Sequence, residues 1–109
     1  MKVYLAGPMS GYERHNFPAF DEAAAALRAA GHEVVSPAEI DREHGFDPFD
    51  TVTDAQYGLF LRRSLKAMLE CDAIALLPGW RESRGAALEF RIAEAIGMSL
   101  VQIPARASS

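Results

Sequence analysis

The sequence predicts an α/β fold with a mostly parallel sheet of four or five strands, and three observations support this prediction. Short apolar runs alternate with longer segments that carry apolar residues at helical spacing, which is the pattern of β-α-β units. The run Ala73–Leu77 is almost wholly apolar, as a parallel strand buried on both faces should be. Glycine or proline follows most of the segments. Right-handed crossovers should then place helices on both faces of the sheet.

The first half of the chain contains two predicted strands with a helix between them. Val3–Ala6 is the first strand and ends at a Gly-Pro pair. A helix begins near Asn16 and Pro18, because Asn is a good cap and Pro is favoured in the first helical turn. The second strand covers His32–Ser36. Residues 38–52 are polar and broken, which predicts a long loop, and loops of this length in compact domains are often functional.

The second half begins with a capping box at Thr53 and Gln56, which predicts a helix over residues 54–70. The third strand, Ala73–Leu77, follows. A last helix is predicted over Ser83–Ile96 and a last strand over Ser99–Ile103. Because the carboxyl ends of parallel strands meet at one edge, the segments that follow the first three strands should converge there to form a ligand crevice.

Composition restricts the function. The chain has 109 residues, which fit one domain, and a net charge of −4, which gives no support to binding of a nucleic acid polymer. A single cysteine, Cys71, excludes an internal disulfide framework and is compatible with a reducing compartment. No signal peptide or membrane-length apolar run is visible, so we expect a cytoplasmic location. The three histidines lack metal-ligand spacing, and neither a metal nor another cofactor is predicted.

Glu89 is the strongest candidate for a catalytic residue. It lies less than two turns into the last helix among small or apolar neighbours, where a merely solvated carboxylate is not expected. The positive potential of the helix N-terminus should favour its ionised form. Tyr4 lies within the first buried strand, and a buried tyrosine needs a partner for its hydroxyl. Glu89 is a candidate partner, and an ordinary core tyrosine is the alternative.

Each of the other candidate residues has a functional and a structural interpretation. The loop Gly7-Pro8-Met9-Ser10-Gly11 matches no dinucleotide or Walker motif, but its glycines would let backbone N–H groups approach a ligand; a simple tight turn is the alternative. Asp72 begins a strand, away from the expected crevice, and can equally be a cap. Trp80 can stack on a planar base or pack against the long loop. Ser83 can cap the last helix or hold an anion.

The residues resemble the nucleoside 2-deoxyribosyltransferase superfamily, and look closest to its small, often phage-associated members of uncharacterised function. The resemblance rests on VYLAGPMSG, on Asn16-Phe17-Pro18-Ala19-Phe20, on CDAIALLPG and on the segment SRGAALEFRIA, and it spans about residues 3–103. It implies a flavodoxin-like three-layer sandwich, cleavage of a nucleoside N-glycosidic bond and a homo-oligomer. It also implies catalytic roles for Glu89 as the nucleophile, for Tyr4 as the residue that orients it and for Asp72 as an active-site acid.

The resemblance places Ser83 near a 5′-phosphate and Ser10 in the corresponding first loop. The residues expected to bind the substrate are Gly7, Met9, Ser10, Asn16, Trp80, Ser83 and Gly85. The expected partner is a nucleoside or nucleotide, and the chain should act without a membrane.

The implied chemistry is attack of Glu89 on carbon 1′ of the sugar to form a glycosyl ester, which water or a second base then releases. Asp72 or Asp47, in the long loop, is a candidate acid for the leaving base. Transfer and hydrolysis stay open, as do the sugar, the base and the phosphorylation state. Two other classes remain: a nucleotide-binding sensor without chemistry, and a structural or partner-binding protein.

Overall fold

A computed structural model of the chain describes residues 1–9, 11–45 and 53–104. Its centre is a parallel sheet in the order β2-β1-β3-β4. The strands are β1 (Lys2–Ala6), β2 (Glu33–Val35), β3 (Ala73–Leu76) and β4 (Ser99–Leu100). This order is that of flavodoxin-like sheets, whose ligands bind where the strand order reverses, beside the first strand. The α/β prediction is therefore confirmed, with four strands in the described part of the chain.

Helices cover both faces of the sheet. They are α1 (Phe17–Ala29), α2 (Pro37–Glu43), α3 (Asp54–Met68) and α4 (Arg84–Ala95). Alternation along β1 divides the core: Val3 and Leu5 pack with the apolar side chains of α1, whereas Tyr4 and Ala6 pack with residues of α3 and α4. Helix α2 follows the edge strand β2 and packs against both α1 and α3. It therefore lies beside the carboxyl ends of the strands.

The prediction of a loop over residues 38–52 is wrong for its first part, because α2 occupies Pro37–Glu43. Pro37 stands in the first turn of this helix, where its missing N–H is harmless, instead of simply ending the strand. Seven residues are too few to show a clear helical period in the sequence. Residues 46–52 lie outside the described part of the chain, and with them Asp47.

The other elements agree with their predictions except at their ends. Thr53 and Gln56 form the expected capping box of α3, in which each side chain bonds the other residue's backbone N–H. The last strand is shorter than predicted, since β4 pairs with β3 only through Ser99 and Leu100. Within the described ranges, no helix has both the length and the apolar character needed to cross a membrane.

Candidate active site

A cavity of about 450 Å³ opens at the carboxyl ends of β1 and β3. All three segments that the sequence predicted to converge contribute to its wall: the loop after β1, the region after β2 and the turn that leads from β3 into α4. One face of α3 completes it. Small-molecule sites in proteins commonly have volumes of roughly 300 to 1,000 Å³. The cavity is thus large enough for a ligand of nucleoside size.

Tyr4 and Glu89 meet in the buried part of this cavity. The Tyr4 hydroxyl donates a hydrogen bond of 2.6 Å to Glu89 Oε2, as the sequence predicted for a buried tyrosine in β1. Tyr4 is fully buried and Glu89 is 5% exposed. The small side chains of Ala86 and Ala93, which are buried in the same cluster as Tyr4, let α4 lie close to β1. That close approach brings the carboxylate to the tyrosine.

Burial controls the charge of this pair. Loss of hydration raises the pKa of Glu89 from its ordinary 4.5 to about 7, and the hydrogen bond from Tyr4 opposes this rise. The net shift is therefore towards the neutral form, opposite to the direction in which a helix N-terminus acts on a carboxylate. Burial, and next the negative charge of Glu89, also raise the pKa of Tyr4 well above 10, so the phenol keeps its proton and stays a donor.

Ser64 on α3 is a third member of this group. Its hydroxyl forms a hydrogen bond with the Tyr4 side chain, and it lowers the pKa of that phenol. Ser64 is buried and also lines the cavity. Sequence reasoning missed this role, because no motif in the sequence singles out Ser64. Ser64, Tyr4 and Glu89 therefore line the same buried part of the cavity.

The loop after β1 forms one wall of the cavity, to which Gly7 and Met9 contribute directly. Asn16 does not line the cavity. Its side-chain amide donates a hydrogen bond of 2.9 Å to the Pro8 carbonyl, and its backbone is left-handed with φ of 61°, which Asn tolerates better than most residues. Asn16 therefore stabilises the loop after β1 without itself lining the cavity. Ser10 lies outside the described residues.

The turn into α4 forms the opposite wall. Ser83 caps α4, since its Oγ accepts a hydrogen bond of 3.2 Å from the Ala86 N–H, and it also lines the cavity. Gly85 lines the cavity beside Tyr57, whose hydroxyl would lie 3.0 Å from a Cβ at this position. The absence of a side chain at Gly85 therefore lets the α3 tyrosine approach the first turn of α4.

The structure does not bring Asp72 or Trp80 to this cavity. Asp72 is exposed at the amino end of β3, where its Oδ2 accepts a hydrogen bond of 3.3 Å from the Lys2 N–H. This edge of the sheet lies opposite to the cavity. The cavity opens at the carboxyl end of β3, so the length of that strand separates Asp72 from it. Trp80 instead packs against Phe90, with ring centroids 4.7 Å apart, and lines a separate groove beside β4.

Several wall residues were not predicted as site residues. Asp41 on α2 lines the cavity with 4% exposure, and burial raises its pKa from 3.8 to about 6. Tyr12 comes from the loop after β1. The α3 side chains of Tyr57, Phe60 and Leu61 also line the cavity. Within the described ranges, no group of His, Cys, Asp or Glu could hold a metal ion.

The fold of the chain is similar to that of a solved enzyme structure. A 2-deoxyribosyltransferase from the psychrotolerant bacterium Bacillus psychrosaccharolyticus matches with a TM-score of 0.65 and 21% sequence identity. The match covers 94% of this chain and 71% of that chain, and at this identity it concerns the fold alone. No curated protein matches the chain. Residues 1–102 match the family described as a domain of unknown function, DUF4406, and the chain belongs to that family.

Proposed function

We propose that the protein cleaves the N-glycosidic bond of a nucleoside or its 5′-monophosphate, with Glu89 as the nucleophile. The observation that carries this proposal is the buried Glu89 carboxylate, held by Tyr4 through a 2.6 Å hydrogen bond inside a nucleoside-sized cavity. A buried carboxylate is costly to keep in a protein unless it is used or paired. The similarity in fold to a 2-deoxyribosyltransferase supports the same substrate class.

In the proposed first step, Glu89 attacks carbon 1′ of the sugar as the bond to the base breaks. Because Oε2 accepts the Tyr4 hydrogen bond, Oε1 is the oxygen that forms the ester. The oxocarbenium-like transition state carries positive charge, which the developing contact with the carboxylate stabilises. Water, or a second base in a transferase, then attacks carbon 1′ and restores the Glu89 carboxylate with retention of configuration.

The pKa of Glu89 restricts the pH range in which the proposed attack can occur. A carboxyl with a pKa of about 7 is largely protonated below pH 6, and a protonated carboxyl is a poor nucleophile. Its raised basicity makes the ionised form a stronger nucleophile than an ordinary glutamate. The fraction of the protein that carries an ionised Glu89 therefore increases as the pH rises through about 7.

The substrate is expected to enter between the loop after β1 and the turn into α4. Gly7 and Met9 form one wall, and Ser83 and Gly85 the other. Arg84, at the start of α4, also lines the cavity, with its guanidinium 5.7 Å from the centre of the Tyr57 ring. Its positive charge beside a helix N-terminus favours a substrate with an anionic group, such as a 5′-phosphate.

The test is a chromatographic screen for released base. The full chain is incubated with deoxynucleosides, ribonucleosides and their 5′-monophosphates, with and without a second base as acceptor. A free sugar indicates hydrolysis, and a new nucleoside indicates transfer. A 2′-fluoro nucleoside should slow release of the ester, so that intact-protein mass spectrometry shows a sugar adduct that Glu89→Gln lacks.

Calorimetric titration of the same nucleotides, run in parallel, separates the enzyme from a sensor. Binding of a nucleotide without any released base would overturn the catalytic proposal and support a sensor. A chain that neither binds a nucleotide nor releases a base would overturn both the enzyme and the sensor hypotheses.

A homo-oligomer and a cytoplasmic location belong to the proposal, as does the view of residues 1–109 as one domain. Leu59 on α3 and Leu88 on α4 are large apolar side chains with 47% and 39% exposure, which supports burial against another copy. Light scattering coupled to size-exclusion chromatography measures the assembly directly. A monomer at micromolar concentration would contradict this part of the proposal.

A further inference from the structure

Asp41 is a buried carboxyl group whose position is not explained by its own protein contacts. It is 4% exposed, and its Oδ1 has no hydrogen-bond partner among the residues that the structure describes. Buried polar atoms in native proteins are nearly always paired, so an unpaired one inside a ligand cavity needs an explanation. Asp41 lines the same cavity as Glu89. A ligand in that cavity is the available partner for Oδ1.

The charged groups around Asp41 come from several elements. Burial raises its pKa to about 6, while Arg63 of α3, then His15 before α1 and His44 at the end of α2, lower it. On the side of β1, the Asp41 charge in turn raises the pKa of Tyr4. Asp41 can therefore hold a proton near neutral pH and also release it. Those are the two properties that a general acid requires.

The topology places the two carboxyl groups on either side of β1. Helix α2, which carries Asp41, follows β2, and α4, which carries Glu89, follows β3. In the sheet, β2 and β3 are the two neighbours of β1. Neighbouring strands are about 4.8 Å apart, so the strands that lead to Asp41 and Glu89 are separated by roughly 10 Å. Both side chains line the same cavity of about 450 Å³, which has room for a planar base and its sugar.

We propose that Asp41 is the acid that protonates the departing base, a role that rests on the proposed function of Glu89 as the nucleophile. The two acids that the sequence offered do not fill it within the described structure: Asp72 lies at the opposite edge of the sheet, and Asp47 lies outside the described residues. Asp41 is buried, lines the cavity and has an oxygen without a partner among the described residues.

In this step a Glu89 oxygen forms a bond to carbon 1′ while the bond from carbon 1′ to the base nitrogen breaks. The electron pair of the broken bond moves into the base, and the proton of the Asp41 carboxyl passes to a ring nitrogen or carbonyl oxygen of the base. The base leaves neutral, and Asp41 becomes a carboxylate. When water attacks the ester, Asp41 accepts its proton and Glu89 is released as a carboxylate.

The experiment compares two leaving groups in wild type and Asp41→Asn. The first substrate is the deoxynucleoside that the wild type cleaves fastest in the screen. The second carries the same sugar on 4-nitrophenolate, which departs as a stable anion and needs no proton. We expect Asp41→Asn to lower kcat/KM, which reports the first step alone, about 100-fold or more on the nucleoside and less than 10-fold on the nitrophenyl substrate. Glu43→Gln, an exposed change in the same helix, should alter neither rate.

The pH profile gives a second and independent measure. A reaction that needs ionised Glu89 and protonated Asp41 should have a kcat/KM that rises up to about pH 6, is level to about pH 7 and then falls. In Asp41→Asn the fall above pH 7 should disappear, and the residual rate should rise through about pH 7. A purely structural role for Asp41 would lower the rate at every pH without changing this shape.

An equal loss on both substrates, or an alkaline fall that persists in Asp41→Asn, would overturn the role of Asp41 and leave Glu89 in place. A wild type that releases no base from any nucleoside in the screen would overturn both assignments. Urea unfolding of each variant shows whether a lost rate reflects lost folding, and Asp41→Glu, which keeps the acid, should recover part of the rate on the nucleoside.

Discussion

Tyr4 and Glu89 lie 85 residues apart in the chain and share a buried hydrogen bond of 2.6 Å. One belongs to the central strand and the other to the helix that packs on that strand, so the contact exists only when the sheet and α4 are assembled. The short distance is typical of a hydroxyl that donates to a carboxylate. The bond lowers the pKa of Glu89 while burial raises it, and the balance sets that pKa at about 7.

Replacement of the proposed nucleophile should abolish the reaction. Glu89→Gln keeps the size of the side chain but removes the charge that attacks carbon 1′. Loss of a covalent nucleophile typically costs several orders of magnitude, so we expect roughly a thousand-fold or greater loss of base release. Glu94→Gln, an exposed change in the same helix, is the matched control and should keep full activity. An unchanged turnover number in Glu89→Gln would exclude this nucleophile.

Removal of the Tyr4 hydroxyl should shift the pH dependence as well as the rate. Tyr4→Phe deletes the hydrogen bond that lowers the pKa of Glu89, so this pKa should rise above its wild-type value. In an Asp41→Asn background, where Glu89 alone sets the pH dependence, the rising limb of kcat/KM should then move to higher pH. A hydrogen bond to a charged group contributes roughly 1.5–3 kcal/mol, which predicts a loss of about 10- to 100-fold near pH 6. A limb that stays in place, or moves to lower pH, would contradict the role of Tyr4.

The pKa of Glu89 also predicts how stability changes with pH. Its folded-state pKa of about 7 lies above the ordinary 4.5, so the native state holds the proton more tightly than the unfolded chain does. This contribution is complete below pH 4.5 and is lost as the pH rises through about 7. The difference corresponds to about 3 kcal/mol.

Urea unfolding of wild type and Glu89→Gln at pH 4.5 and pH 8.5 measures this effect. Because glutamine does not ionise, the wild type should lose stability relative to the variant between the two pH values. The exposed Glu94→Gln should follow the wild type at both. A stability difference that does not vary with pH would show that burial does not raise the pKa of Glu89.

Gly7 should tolerate no side chain, because the loop after β1 passes against β3. A Cβ at this position would lie 2.7 Å from Leu77 Cβ, closer than such atoms approach. We expect Gly7→Ala to destabilise the fold by about 1–3 kcal/mol in chemical denaturation. Leu77→Ala removes the Cδ1 atom, which would lie 2.9 Å from the added Cβ, but keeps the nearer Leu77 Cβ. In the double variant, Leu77→Ala should therefore recover only part of the loss that Gly7→Ala causes.

Gly58 on α3 is the matched control for Gly7, since a Cβ there would meet nothing within 4 Å. Gly58→Ala should stabilise the helix by about 0.5–1 kcal/mol. If both alanine variants changed stability in the same direction, the close approach at Gly7 would not be the cause.

The local elements were well predicted where the sequence carries a regular period or a cap. Thr53 and Gln56 predicted the start of α3, and Ser83 predicted the start of α4. Both predictions were possible because capping depends on residues only three positions apart. Helix α2 was missed because seven residues show too little periodicity, and Asp41 was missed with it. Trp80 was assigned to the ligand since its loop is adjacent to the site, but the loop turns the indole onto Phe90.

The sequence by itself determined the α/β class and the edge of the sheet at which the cavity opens, and it offered Glu89 as a candidate partner for Tyr4. Each follows from short-range patterns together with the general geometry of parallel sheets. Only the tertiary structure decided the charge of that pair, the contribution of Ser64 and the presence of Asp41 in the same cavity as Glu89. Burial depends on every neighbouring element at once, and a pKa depends on burial, so neither can be read from residues that are adjacent in the chain.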